Sequence, residues 1–318
     1  MRLRHSSRPP GLLGSIVVGT LLSVLLITAA FVVVVTILSG TSWALSRSNS
    51  TGGRLRFDGP SFPANDLQGN LYVADQANQR VVKLSPGGRP LAVWRAFAGF
   101  SGAENGPGPI AIDARNNVYV ASVGAVQKFL PTGKRIATWT LGFDPQGIAV
   151  DARNRVYLAD SDTNRIVVLS STGAELAVWR TKGSGPHGIA IDGHGTVYVA
   201  DTSGDRIEKF TSAGRSIALW GKSGRRLGQF DQPEGVAVDR VGNVYVGDAG
   251  NHRIQILSPL GKVLAWWGSW GHGRGQFEKV TSLFVSVYKP HGTVFVTDST
   301  GDTVHVFSSD GKELAQWR

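Results

Sequence analysis

Gln146, His187 and Glu234 occupy one recurring slot, each set between a proline and a glycine and each followed by a short apolar run such as Ile148-Ala149-Val150. An amide, an imidazole and a carboxylate in equivalent places could converge on a small polar ligand or on a metal ion, since imidazole and carboxylate are competent ligands. The corresponding slots elsewhere hold Ser61, Gly108 and Thr281. The residue type changes from slot to slot, which a purely structural position does not require. Gln146, His187, Glu234 and Thr281 therefore form the candidate ligand-binding set, with a solvated rim as the plainer alternative. His194, His252, His291 and His305 fall elsewhere in the pattern and make no evident cluster. No residue is assigned a catalytic role and no cofactor is expected. The chain has no cysteine, which excludes disulfides, thiolate zinc sites, iron–sulfur clusters and thiol nucleophiles.

Asp and Arg stand five apart at Asp75/Arg80, Asp160/Arg165, Asp201/Arg206 and Asp248/Arg253, while Thr303 replaces the base after Asp298. Repetition argues against catalysis, because one active site needs one constellation. A turn carboxylate that caps backbone N–H groups and pairs with a guanidinium accounts for all the copies. Gly221-Lys222-Ser223 ends like a phosphate loop, but Ser216 stands where a glycine is needed and no helix follows. The Gly-rich run from Gly268 to Gly275 reads as a mobile connector. It carries Trp270, His272 and Arg274, an aromatic and basic set that could contact a partner; an ordinary long loop is the alternative.

What must position these residues is a repeat. Its clearest copy runs Gln232-Pro233-Glu234-Gly235-Val236-Ala237-Val238-Asp239, then Gly242-Asn243-Val244-Tyr245-Val246-Gly247-Asp248, then Asn251-His252-Arg253-Ile254-Gln255-Ile256-Leu257, and ends at Trp266-Trp267-Gly268. Six copies close on Trp94, Trp139, Trp179, Trp220, Trp267 and Trp317. Each holds four runs of about five residues rich in Val, Ile, Tyr and Phe, separated by Gly, Asn, Asp and Pro, which are strands joined by short turns. Four strands recurring at a spacing of 40-odd residues predict an all-β, six-bladed β-propeller over residues 60–318. The first run of each copy is small and apolar and suits the crowded inner wall. The bulky closing Trp suits the wider space between blades. A closed ring removes most exposed sheet edges.

The run Gly228-Gln229-Phe230-Asp231-Gln232-Pro233-Glu234-Gly235-Val236-Ala237-Val238-Asp239, followed by Asn243-Val244-Tyr245-Val246 and Asn251-His252-Arg253-Ile254, resembles an NHL repeat, and Gly275-Gln276-Phe277 opens the next copy in the same way. The resemblance covers about residues 60–318 and is most specific in copies three to five. Copy one departs with Phe62-Pro63-Ala64-Asn65 in place of an apolar strand, and copy six with Ser282 for the usual Gly and a longer turn from Val287 to Thr293. Ring closure could use Arg54 to Phe57 as an added strand or rest on packing alone. The resemblance implies a six-bladed propeller used mostly for binding. Some relatives are lyases or RNA binders, and one bacterial arrangement is the outer sensor of a transmembrane kinase. Lyases of this kind hold zinc with channel-mouth histidines; one histidine at the rim here does not support that activity.

Before the repeats, Arg2, Arg4 and Arg8 precede an uncharged stretch from Pro9 to Ser46. Its apolar heart, Leu12 to Leu38, would span roughly 40 Å as a helix, more than a bilayer core of roughly 30 Å and longer than a cleaved signal needs. The expected layout is a short basic cytoplasmic tail (1–10), a transmembrane signal anchor (11–40) with Trp43 at the outer interface, and a polar tether (41–59) bearing the Asn49-Ser50-Thr51 glycosylation triplet; a signal cleaved at Ser42-Trp43-Ala44 is the alternative. The arginines place the N-terminus inside and the propeller outside the cytoplasm, and a tail of ten residues leaves no room for a kinase.

The chain carries a net charge of +10. Arg2, Arg4, Arg8 and Arg47 are the only charged side chains before residue 54, so the remainder holds 29 bases against 23 acids. An extracytoplasmic place argues against nucleic acid as the partner. A protein or an anionic envelope ligand (wall polymer or lipid headgroup) fits the charge and the place better. The expectation is a membrane-tethered binding or scaffold module, and the alternative is a propeller enzyme, a lyase or lactone hydrolase, with a polar or metal site at the channel mouth.

Overall fold

The computed structural model describes residues 55–97, 106–122, 124–286 and 292–318. The anchor, Trp43, the glycosylation triplet, most of the tether and His291 lie outside the described residues. Among those described, no helix is long and apolar enough to cross a membrane.

Six four-stranded antiparallel sheets follow one another along the chain, each with its strands in sequence order. Blade 1 holds β1 (Pro60–Asn65), β2 (Leu71–Asp75), β3 (Arg80–Leu84) and β4 (Pro90–Trp94). Blade 2 holds β5 (Ile110–Ile112), β6 (Val118–Ser122), β7 (Ala125–Phe129) and β8 (Arg135–Thr140). Blade 3 holds β9 (Gly147–Val150), β10 (Val156–Asp160), β11 (Arg165–Leu169) and β12 (Glu175–Arg180). Blade 4 holds β13 (Pro186–Ile191), β14 (Val197–Asp201), β15 (Arg206–Phe210) and β16 (Ser216–Trp220). Blade 5 holds β17 (Pro233–Val238), β18 (Val244–Asp248), β19 (Arg253–Leu257) and β20 (Val263–Trp267). Blade 6 holds β21 (Val280–Val285), β22 (Val294–Asp298), β23 (Thr303–Phe307) and β24 (Glu313–Trp317).

Second strands are buried on both faces and read as continuous apolar runs, whereas fourth strands alternate, with one side toward solvent. Copy one forms its first strand despite Phe62-Pro63: β1 pairs with β2 around an irregularity between Ser61 and Ala64, and Phe62 adopts φ 48°. The first strands β1, β5, β9, β13, β17 and β21 each touch the next, and β21 touches β1, so the ring closes. It closes by packing. Blades 1 and 6 each keep their own four strands, and residues 55–57 add none. Leu55 and Phe57 instead lie in the apolar cluster between those blades, Gly59 N–H donates to Asp302 Oδ1 at 2.8 Å, and Asn65 Nδ2 donates to Ser286 Oγ at 2.7 Å. All of these pairings come from residues 55–318, which form a compact unit of their own.

The core is distributed, with one apolar cluster between each pair of neighbouring blades. The closing Trp of one blade lies on the glycine of the third-to-fourth turn in the next: Trp94 on Gly133, Trp179 on Gly214, and across the closure Trp317 on Gly88. A Cβ at Gly214 would stand 2.3 Å from the Trp179 indole, and φ there is +84°, so both space and backbone require glycine.

The Asp after each first strand holds the turn that follows. Asp113 accepts from the backbone N–H of Arg115 and Asn117, from Asn117 Nδ2, and from the Tyr119 hydroxyl. Burial, with Asp113 beside it, pushes the Tyr119 phenol well up. Burial and Asp239 push Tyr245 up to about 12. In copy six Ser286 replaces the Asp and Phe295 replaces the Tyr, so acceptor and donor disappear together and neither is left orphaned. The five-apart pairs are also turn devices: Arg Nε meets Asp Oδ2 at 2.6 Å in Asp75/Arg80 and at 2.7 Å in the other three.

Candidate functional site

The slots at the beginnings of the first strands come together because those strands crowd the axis. A Cβ on Gly147 would lie 1.9 Å from the His187 carbonyl oxygen, and one on Gly188 would lie 2.6 Å from that of Glu234. One on Gly235 would lie 3.1 Å from Ser282 Cα. The glycine that follows each slot thus admits the backbone of the next blade, and Gln146, His187, Glu234 and Thr281 stand side by side on four successive blades. Gly108 brings no side chain, and Ser61 is fully buried, its hydroxyl unpaired.

Only two of the four are electrostatically joined. Lys279 Nζ lies 2.9 Å from Glu234 Oε1, and both charges act on His187. Burial pushes the His187 imidazole below its ordinary value; Glu234 pulls it up and Lys279 pushes it down. The imidazole makes no hydrogen bond or ion pair among the described residues. Gln146 Nε2 donates to the Asp144 carbonyl at 3.3 Å, and Thr281 Oγ1 shares a 2.6 Å hydrogen bond with Ser299 Oγ. The rim therefore offers a neutral, desolvated imidazole beside a carboxylate already neutralised by a lysine. Among the described residues no group of three His, Asp or Glu side chains is arranged to hold a metal. Lys279 escaped sequence reasoning because no other copy carries a lysine there.

His187 should titrate below the ordinary imidazole value of about 6.5. Its protonation then favours the unfolded chain, so this contribution to stability is complete above that value and declines as pH falls below it. An NMR titration of the ring should find the depressed midpoint, and Lys279→Met should move it upward, by deleting one repelling charge and freeing Glu234. A midpoint at or above 6.5 would contradict the placement of His187.

Below the rim a cavity of about 390 Å³ fills the ring. Its walls mix apolar side chains from successive blades, among them Ile112, Val150, Ile191, Val238 and Phe284, with the polar Asn65, Asp113, Asp151 and Ser282. Leu67, Ala114 and Ala152, just past the ends of first strands, also line it, and the four rim side chains do not. The cavity and the rim set are thus separate features.

The segment from Gly268 to Phe277 is hydrogen-bonded rather than loose. Phe277 N–H donates to Ser269 O at 2.9 Å, and Gln276 Oε1 accepts from Gly273 N–H. Residues 222–230 repeat the arrangement, with Phe230 N–H on Lys222 O at 3.0 Å. Gly221-Lys222-Ser223 is therefore the start of a blade connector. Arg274 is engaged by Glu313 and His272 by Glu278, which leaves Trp270 standing exposed.

In sequence, residues 144–169 and 230–257 match the NHL repeat, which covers the first three strands of blades 3 and 5. No curated protein matches the chain. Among solved structures it is similar to a streptogramin B lyase, at 10% identity over 83% of this chain and 84% of that one, with a TM-score of 0.60. It is similar to Kuenenia stuttgartiensis hydrazine synthase, at 14% identity over 82% and 98%, with a TM-score of 0.58. A virginiamycin B lyase from Staphylococcus aureus matches at 10% identity over 83% and 86%, with a TM-score of 0.58. Identities this low establish the fold alone. With the NHL repeat matched in two blades and the same four-stranded unit built six times, the chain is a six-bladed β-propeller that carries NHL repeats.

Proposed function

We propose that this chain is a membrane-tethered, extracytoplasmic binding module, in which a rigid toroid presents a protein or an anionic envelope ligand with a polar rim. The observation that carries the reading is the Lys279–Glu234 pair at 2.9 Å beside a half-buried, unpaired His187. A carboxylate already matched by an ammonium is poorly placed as a general base. The same trio suits recognition, offering an acceptor, an exposed donor and an adaptable ring side by side. The anchor read at residues 11–40 would confine the module near the membrane and raise its effective concentration for a neighbour.

The unit from residue 55 to 318, immobilised and exposed to a membrane extract, should retain a partner reproducibly, and Glu234→Ala with His187→Ala should release it. Retention of nothing, or retention indifferent to both the rim and Trp270, would remove the reading. A second reading, a lyase or hydrolase at the mouth, draws on His187, which is neutral, desolvated and next to a carboxylate, and on the lyases among the similar folds. It requires a bound metal in the purified protein or a turnover lost in Glu234→Ala.

A further inference from the structure

Turns between first and second strands and between third and fourth strands leave the sheets on one side, because consecutive strands are antiparallel. The two sets touch: a Cβ at Gly242 would lie 3.1 Å from Pro259, and one at Gly292 would lie 3.2 Å from Ser309. On this hairpin face charge is unevenly placed. Arg115, Arg153 and Arg240 on one set of turns, and Lys134, Arg215 and Lys262 on the other, are exposed and form no ion pair among the described residues. The acids of the same turns are used internally. Asp113, Asp151 and Asp239 accept hydrogen bonds from their own turn residues. Among the described residues, Glu175 and Asp310 are the only exposed acids on the face, and Asp310 is held by the Ser308 hydroxyl. The modest excess of bases in the sequence thus becomes a strongly basic surface.

Aliphatic tips stand among the bases. Leu260 is 89% exposed and Val241 75% exposed, the two highest values among the exposed large apolar side chains. Both belong to blade 5, on the two turns that meet through Gly242 and Pro259, and they are flanked by Arg240 and Lys262. The chain enters the propeller on the opposite face, where Asp58 and Gly59 N–H groups are held by Asp75 and Asp302. A soluble polyanion would engage the bases and leave these tips in water. A lipid surface engages both, with phosphates on the bases and aliphatic tips in the acyl boundary.

We infer that the hairpin face docks on a lipid bilayer bearing anionic headgroups, with Val241 and Leu260 inserted and the surrounding arginines and lysines on the phosphates. This rests on the reading of the chain as a binding module but not on its rim, and it assigns that module a second, separate surface.

The test is co-sedimentation of the 55–318 unit with vesicles of phosphatidylcholine alone or mixed with phosphatidylglycerol. Binding is expected to the mixed vesicles only and should weaken as salt is raised. Arg240→Glu with Lys262→Glu should lower the partition at least about tenfold. Val241→Ser with Leu260→Ser should weaken vesicle binding while leaving retention on immobilised polyphosphate unchanged. All four positions are exposed, so near-UV circular dichroism should show the variants folded. Equal binding to neutral vesicles, or no binding to mixed ones, overturns the inference. So does vesicle binding that ignores the serine substitutions, which would mark a polyanion site instead. Glu234→Ala should sediment as the parent does, so that failure here and failure at the rim are told apart.

Discussion

Gly147→Ala should destabilise the propeller by about 3 kcal/mol or more, at the upper end of what overpacking does. The new methyl would lie 1.9 Å from the His187 carbonyl oxygen, a backbone atom of β13 that cannot rotate away. Relief requires blades 3 and 4 to move apart, which loosens the cluster of Ala149, Tyr157, Ile189 and Val197 between them. For a unit of this size each kcal/mol shifts the melting temperature by about 2–4 °C, so a fall of roughly 6–12 °C is expected. Gly142→Ala is the control. Nothing lies within 4 Å of its Cβ, and restricting the unfolded chain should leave stability unchanged or raise it by up to about 1 kcal/mol. Equal melting of the two variants would mean that the first strands are not in the contact described. The same substitution should shift the His187 titration, because the displaced carbonyl belongs to that residue.

The second large effect is expected at Asp248. Its carboxylate is fully buried and accepts from Asp231 N–H at 2.7 Å, Asn251 Nδ2, Arg253 Nε at 2.7 Å and Gln255 Nε2. Asp248→Ala removes the acceptor of Arg253 Nε and of the Asp231 N–H, while Asn251, Gln255 and the terminal nitrogens of Arg253 keep backbone carbonyls; losing the charged partner of a buried pair costs about 3–5 kcal/mol. Blade 2 supports the argument from within the chain. Ser122 stands in place of the Asp, and the turn that follows carries no Arg, so acid and base are absent together. Asp248→Ala combined with Arg253→Ala should therefore cost less than the sum of the single changes, which a double-mutant cycle in urea would measure. A single-variant effect below about 1 kcal/mol would show that the turn is held mainly by backbone bonds.

The fold was readable because its signals are local. Alternating and continuous apolar runs of five residues, turn residues between them and a Trp at each copy's end determine four strands per blade, and six copies determine six blades. Even copy one, where Phe62-Pro63 breaks the pattern, forms its strand, because β2 offers a partner whatever the irregularity. The turn roles of Asp113, Asp151 and the five-apart Asp–Arg pairs were legible for the same reason, since donor and acceptor lie within six residues of each other.

What sequence alone left open depends on groups far apart in the chain. Glu234 and Lys279 are 45 residues apart, and Leu55 with Phe57 meets Phe295 only once the ring has closed; no periodicity announces either. The mobile connector expected at Gly268 to Gly275 is instead held by hydrogen bonds that Gln276 and Phe277 supply. The basic hairpin face is the clearest case. A sequence counts charges without regard to direction, and it balances Asp113 against Arg115. The folded turn draws the aspartate inward to satisfy backbone N–H groups and leaves the arginine in water. Residue type and spacing thus determined the repeating unit, whereas the sign of each face and the neighbours at the rim were decided by ring closure, because burial and proximity are properties of the assembled blades.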